Sequence, residues 1–478
     1  MRILHIGWGF RPWRGGGIIE YAEDLMEKQI QKGWEVLYFF SGRYFLFIKR
    51  PKLLKWKRKG ILMFEIINSP IFHGSDGGTL YPQKDMQEPW IEKFFRKVLK
   101  EENPDILYIQ EMAGLPISLI KIAKDEFNIP TIMILNDYFL LCPTLKLMDY
   151  NGNLCTVKEN IGNRCVKCCE YAHKNNRYLI KKTLTYYLER IYLYKPLKLF
   201  CVSLKRIYNL IISHKNNPVL NTNYGNDLSN LFQKRRIINL NSLKKIDLFI
   251  AVSNKVNDIY KNFLKIDNII TLQVSVKHLD YIFPKRKEMI NFPITLLTLN
   301  GCSSERKGSK LMYETIKMLN SKGLDSYFEL HIWGSLDETI KDILKFKNVY
   351  YHGSYNVENL NYILEKADVG IVPSIWEEPY GLVGIELLAK GIPVIGNKRG
   401  GVVEYTVENY TGWINKSATA QELANIIEKI IKNPRIISEL NKNILENRCK
   451  ILKTMEQHFQ ETKDIYYNVI NCYKQGKK

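Results

Sequence analysis

The chain lacks several things, and each absence narrows its class. Its 478 residues contain no apolar run near the ~18 that a membrane-spanning helix needs. The residues after Met1 do not follow the basic, apolar, small-residue order of a secretory signal, so a cytoplasmic protein is expected. Nine cysteines, an odd number, point to reduced thiols or a metal site and away from a disulfide framework. No Asp-x-Asp pair occurs, which argues against a metal-bridged phosphate group. The first glycine turn, Gly7-Trp8-Gly9, has Pro12 where a dinucleotide fingerprint needs a third glycine, so nicotinamide binding is disfavoured. Acids are scarce as well: 49 Asp and Glu against 70 Lys and Arg leave a net charge of +21, which calls for a negative partner such as a phosphate-bearing ligand, an anionic membrane or a nucleic acid.

What is present fills two substantial cores, because 45% of the residues are hydrophobic and the length suits two domains. The organising stretch runs from Pro373 to Ile395. Asp368 to Val372 reads as a buried strand, Glu386 to Lys390 as helix formers, Gly391 as the stop and Pro393 to Ile395 as the next strand. The Pro and Gly residues of the intervening loop leave the backbone amides of Tyr380, Gly381, Leu382 and Val383 as free donors at a helix start, a seat for phosphate. Glu378 lies in the loop and Glu386 two turns into the helix. Two carboxylates beside an anion seat fit hydroxyl-rich groups, because each accepts hydrogen bonds from vicinal hydroxyls while the phosphates rest on the amides.

This Glu-Pro-Tyr-Gly stretch, with a second Glu eight residues after the first, resembles the hallmark of glycosyltransferase family 4, retaining enzymes of the GT-B fold that use nucleotide sugars. The resemblance implies an α/β protein with two Rossmann-like, doubly wound parallel-sheet domains facing across a cleft. It further implies that Glu378 holds the sugar and Glu386 the ribose, and that Gly16 and Gly17 border the diphosphate. In many members a His-Asp pair follows the strand that here is Thr131–Leu135, and its histidine contacts the transferred sugar; this chain has Asn136 and Asp137. The family also places an Arg directly after the first glycine of the turn Gly301–Gly308 and a Lys before the last. Lys307 matches, Cys302 replaces the Arg, and Arg306 supplies a cation from a different position.

In the first half, strands are expected at 2–6, 35–40, 105–110 and 131–135, with a helix from Ile18 to about Gly33. Residues 43–59 carry eight cations, no acid and interleaved aromatics. They read either as a segment lying on an anionic bilayer or as a solvated basic loop. Cys142, Cys155, Cys165 and Cys168 make either a structural zinc knot or unlinked thiols, since only one pair has tight spacing. From 171 to 245 acids vanish apart from Glu189 and Asp227. The Tyr-rich stretch there reads as a basic amphipathic helix, either facing a membrane or packing its Tyr stripe on its own domain.

The expected layout is therefore a first domain over 1–275 with a basic insert at 171–245, a linker, a nucleotide-sugar domain over 288–453, and a helix over 454–478 that crosses back. The reading is a hexosyltransferase that moves sugar from a UDP- or GDP-sugar to a hydroxyl of a glycan or lipid-linked acceptor. No catalytic metal and no nucleic acid are expected, and the protein would sit on the inner face of the cell membrane. A nucleotide-sugar epimerase and a non-catalytic nucleotide-sugar-binding module are the alternatives.

Overall fold

The computed structural model describes all residues except 46, 47, 49, 72, 75–77, 80, 159–160, 171–175, 191–224 and 477–478. Its main strands are β1 Arg2–Gly7, β2 Glu35–Ser41, β3 Lys52–Arg58, β4 Ile61–Ile67, β5 Ile106–Ile109, β6 Thr131–Leu135, β7 Leu248–Ala251, β8 Ile269–Thr271, β9 Ile294–Leu299, β10 Phe328–Trp333, β11 Val349–Gly353, β12 Val369–Val372, β13 Val394–Asn397 and β14 Gly412–Asn415. The longer helices are α1 Gly17–Gln31, α2 Pro89–Glu102, α3 Asn176–Arg190, α4 Gly225–Leu243, α5 Asn254–Leu264, α6 Ser309–Ser321, α7 Val357–Glu365, α8 Leu382–Lys390, α9 Ala420–Lys432, α10 Arg435–Glu446 and α11 Met455–Gln475. No described helix is long and apolar enough to cross a membrane.

Two sheets result, ordered β8-β7-β6-β5-β1-β2-β4-β3 and β11-β10-β9-β12-β13-β14. All neighbours run parallel except β3, which is antiparallel to β4. Central strands such as Ile106–Ile109 and Val369–Val372 are buried at every position, because helices cover both faces of a parallel sheet.

Where it is described, the basic stretch at 43–59 is coil around residues 43–45 and a strand further on. Residues 52–58 form the edge strand β3, with Lys52, Lys55 and Lys57 pointing to solvent, where lysines keep an edge from pairing with another chain. Trp56 turns inward and its indole donates to Glu65 Oε2 at 3.1 Å; fully buried Glu65 also takes the Arg43 guanidinium. Part of this basic stretch is thus paired inside the fold. The same holds further on. Tyr186 of α3 is buried and packs edge-on against Phe10, 5.7 Å between rings, so this part of the Tyr stripe covers its own domain. In α4, Arg235 is sealed against Asp85 at 2.8 Å. The remainder of the basic stretch at 171–245, including 191–224, lies outside the described residues.

Between β8 and β9 the connector is tied to both sheets' surroundings. The Lys277 amide donates to Asp24 of α1 (2.8 Å), and the Lys285 amide donates to the Lys390 carbonyl at the end of α8 (2.8 Å). After the second sheet, α11 opens with a Thr454/Gln457 capping box and lays Phe459 on Trp34 and Tyr466 on Tyr108, each pair 5.3 Å between ring centres. Its His458 meets the Tyr21 hydroxyl at 3.0 Å; burial pushes this imidazole, like that of His5, down to about 3, so both are neutral core groups.

Candidate functional site

Parallel strands of both sheets aim their carboxyl ends at one cleft of about 790 Å³. Its lining brings together Gly16, Gly17, Asn136, Asp137, Arg306, Lys307, Glu378, Tyr380, Gly381, Leu382, Val383 and Glu386, residues spread over more than 350 positions of the chain. Glu378 and Glu386 face the same space.

The helix α8 begins at Leu382, later than the sequence spacing implies. Gly381 caps it with a left-handed backbone (φ 82°), a conformation that favours glycine, and the first-turn amides at Leu382 and Val383 open on the cleft. Because the helix starts at Leu382, Glu386 lies one turn in, closer to those amides than the sequence spacing implied. From the opposite wall the glycine turn approaches closely. Gly16 has φ 115°, and a Cβ on Gly17 would lie 3.0 Å from the Leu382 side chain, so a glycine there lets the first unit's backbone reach the α8 terminus.

Electrostatics at the loop are dominated by one carboxylate. Glu378 Oε2 accepts from Lys307 Nζ (2.7 Å), Trp376 Nε1 (2.8 Å) and Ser374 Oγ (3.0 Å). Burial by itself would raise its pKa; the Lys307 charge and these bonds outweigh it and hold Glu378 below the usual carboxylate range. Arg306 stands over the Trp376 ring, 5.0 Å from its centre. Cys302, at the position where the resembled family carries Arg, is fully buried in the second core, and burial pushes its thiol up to about 12.

Across the cleft, Asp137 Oδ1 accepts from the Phe139 amide at 2.8 Å, so it caps a turn, while Asn136 Nδ2 reaches the Gln110 carbonyl at 3.4 Å. Glu111, which the sequence reading passed over, joins them. Its Oε1 takes the amides of Met112 and Ala113 (2.8 Å each). Glu111 is buried and Asp137 half-buried. Burial first, and then Asp137 beside it, push Glu111 well above the usual carboxylate range. A signal for Glu111 existed: it follows β5 directly, at the carboxyl end of a parallel strand.

His278, inside what reads as a plain linker, is the other residue missed. It lies 2.8 Å from Glu386 and 3.5 Å from Glu20. No local pattern flags it, since its partners are 108 and 258 positions away.

The zinc expectation is not met. Among the described residues no three His, Cys, Asp or Glu side chains come together for a metal ion, and Cys142, Cys155, Cys165 and Cys168 are free thiols. Cys165 sits in an apolar cluster with Ile161 and Phe232, and burial pushes its thiol up to about 12 and that of Cys168 to about 11.

Two Rossmann-like parallel-sheet units facing across such a cleft define the GT-B fold, and this chain has it. Residues 294–450, most of the second unit, match the family model described as glycosyl transferases group 1. Sucrose-phosphate synthase from Thermosynechococcus elongatus superposes with a TM-score of 0.64 at 15% identity, covering 98% of this chain and 99% of that one. Anabaena HepE, solved in complex with UDP and glucose, superposes with a TM-score of 0.56 at 13% identity, covering 97% and 99%. In sequence, the amylovoran biosynthesis glycosyltransferase AmsK of Erwinia amylovora is 23% identical over 183 residues, 36% of this chain and 44% of its own length. The aligned stretch thus spans less than half of that relative.

Proposed function

We propose that the chain is a retaining glycosyltransferase of family 4 type that moves a hexose from a nucleoside-diphosphate sugar to a hydroxyl of a glycan or lipid-linked acceptor. The observation that carries this is the shared cleft: Glu378 and Glu386 flank the open N-terminus of α8, with Lys307 beside them. Support for a UDP-linked donor comes from HepE, whose complex holds UDP and glucose in the same fold. A glycan acceptor in cell-surface polysaccharide or glycolipid synthesis agrees with the relative named for amylovoran biosynthesis. A cytoplasmic site of action at the inner membrane face belongs to the same reading.

In this reading the α8 amides, Lys307 and Arg306 neutralise the diphosphate, Gly16 and Gly17 border it, Glu386 accepts from ribose hydroxyls, and Glu378 with Asn136 and Asp137 reads the transferred sugar. As the bond from the anomeric carbon to the diphosphate oxygen breaks, its electron pair leaves with the diphosphate, where preorganised donors stabilise it best. The acceptor oxygen bonds the anomeric carbon on the face being vacated, and its proton passes to the departing phosphate.

A thermal-shift panel of nucleotide sugars tests the site. A ligand at a hundredfold excess over its Kd stabilises by about 2.7 kcal/mol, so UDP or a UDP-sugar is expected to raise the Tm clearly. If no nucleoside diphosphate or nucleotide sugar moves the Tm, the donor site is wrong. Binding without turnover on any glycan acceptor would instead favour the non-catalytic module, and turnover of donor alone the epimerase.

The glycine turn gives a second check. Gly17→Val places a branched side chain against Leu382 at the mouth of α8. UDP binding is expected to weaken about tenfold or more, because ~1.4 kcal/mol of misfit already costs that factor. Calorimetric affinity equal to that of the unaltered chain would remove Gly17 from the donor's border.

A further inference from the structure

His278 belongs to neither sheet. It stands in the short turn Lys277–Tyr281 of the connector, and its ring faces one carboxylate from each unit: Nε2 hydrogen-bonds Glu386 Oε1 on α8 at 2.8 Å, and Nδ1 lies 3.5 Å from Glu20 Oε1 on α1, an ion-pair approach without a hydrogen bond. Side-chain exposures of 8% for His278, 9% for Glu386 and 16% for Glu20 leave little water to screen the attraction. Burial would strip the ring's proton; the two carboxylates outweigh it and hold the group up to about 10, so it is an imidazolium at neutral pH. The surroundings agree with a cation there. Arg11 shares Glu20 at 3.0 Å, Asp24 accepts the neighbouring Lys277 amide, and Asp280 in the same turn also interacts with the ring's charge.

A separate feature points to a ligand. Glu386 Oε2 is buried at the cleft and has no hydrogen-bond donor among the described residues, whereas Oε1 is occupied by His278. A buried carboxylate oxygen without a donor is costly, and a hydroxyl delivered by a ligand relieves that cost.

Taking the cleft as a nucleotide-sugar site, we propose that His278 is a positioning residue whose charged ring staples Glu20 of the first unit to Glu386 of the second, closing the cleft and aiming Glu386 Oε2 at a hydroxyl of the bound nucleotide sugar. Each half of the staple has a reason in the fold. The connector is anchored to α1 through Lys277 and to α8 through Lys285, so the turn between is held where a single ring can span both. With the units apart, the ring has at most one partner and Glu386 is free to rotate away.

The test uses the full chain, UDP as the probe, and two measurements: calorimetric affinity, and the radius of gyration from small-angle scattering without ligand. His278→Ala is expected to bind UDP about tenfold or more weakly and to scatter as a more extended particle. Glu20→Gln, which cuts the staple from the first unit and leaves Glu386 in place, should do both in the same direction, and the two losses should be less than additive. His278→Arg keeps a cation between the carboxylates and should recover part of the affinity, which a loss through misfolding would not allow. If the unaltered chain binds UDP and His278→Ala binds it within about twofold with unchanged scattering, the staple is overturned while the donor site stands. If the unaltered chain does not bind UDP, the donor reading fails, and the ligand-free scattering decides by itself: expansion in His278→Ala supports the staple, and none overturns it.

Discussion

Glu378→Gln is expected to lower sugar transfer by about a thousandfold, the scale seen when one preorganised electrostatic group is removed from a transition state, and to leave UDP binding undiminished. The substitution keeps volume but removes the charge that Lys307, Trp376 and Ser374 now surround. Lys307, 2.7 Å from that carboxylate in the ligand-free chain, then loses its anionic partner and is free to turn to the diphosphate. Affinity for the nucleotide should hold or rise while chemistry fails. Glutamine is the better choice than alanine here because a void beside Trp376 would confuse loss of chemistry with loss of packing. Steady-state transfer from a UDP-sugar, with UDP affinity measured separately, reads both quantities. Turnover at the unaltered rate would take Glu378 out of the mechanism.

The largest expected change in stability lies at a buried ion pair. Arg235 and Asp85 form an ion pair with side-chain exposures of 2% and 1%, and Arg235 also covers the Phe139 ring at 4.6 Å and donates to the Phe139 carbonyl. Removing one partner leaves the other charge buried without compensation, so Arg235→Ala is expected to cost about 3–5 kcal/mol. Replacing both, as Arg235→Met with Asp85→Leu, removes both desolvation penalties and should return most of that loss. Urea unfolding of the single and double variants measures this. A single variant within about 1 kcal/mol of the unaltered chain would mean that water reaches the pair.

This pair also shows where reading along the chain misleads. Arg235 reads as one more cation of a basic stretch, yet its partner is 150 positions away and both are sealed inside. Arg43 repeats the lesson with Glu65, and Lys52–Arg58 is an edge strand paired with β4. Charge patterning describes partners in solvent; it cannot see a counterion delivered by another element.

The parallel-sheet architecture, the strand-loop-helix unit around Glu378, and the Gly381 cap with its open amides followed from local rules: apolar runs, Gly and Pro punctuation, and the freedom of glycine to take positive φ. Gly16, Gly17, Lys307 and the roles of Glu378 and Glu386 were legible through the family resemblance, while the rule that ligand sites gather at the carboxyl ends of parallel strands pointed to Asn136 and Asp137. Only the tertiary structure could show that Lys307 neutralises Glu378, that Glu111 stands beside Asp137, that Cys302 is sealed in the second core, and that His278 bridges two units. Each of these depends on burial and on distances of a few ångströms between groups far apart along the chain. A side chain's charge state and its partner are set by that enclosed neighbourhood, which does not exist until the chain has folded.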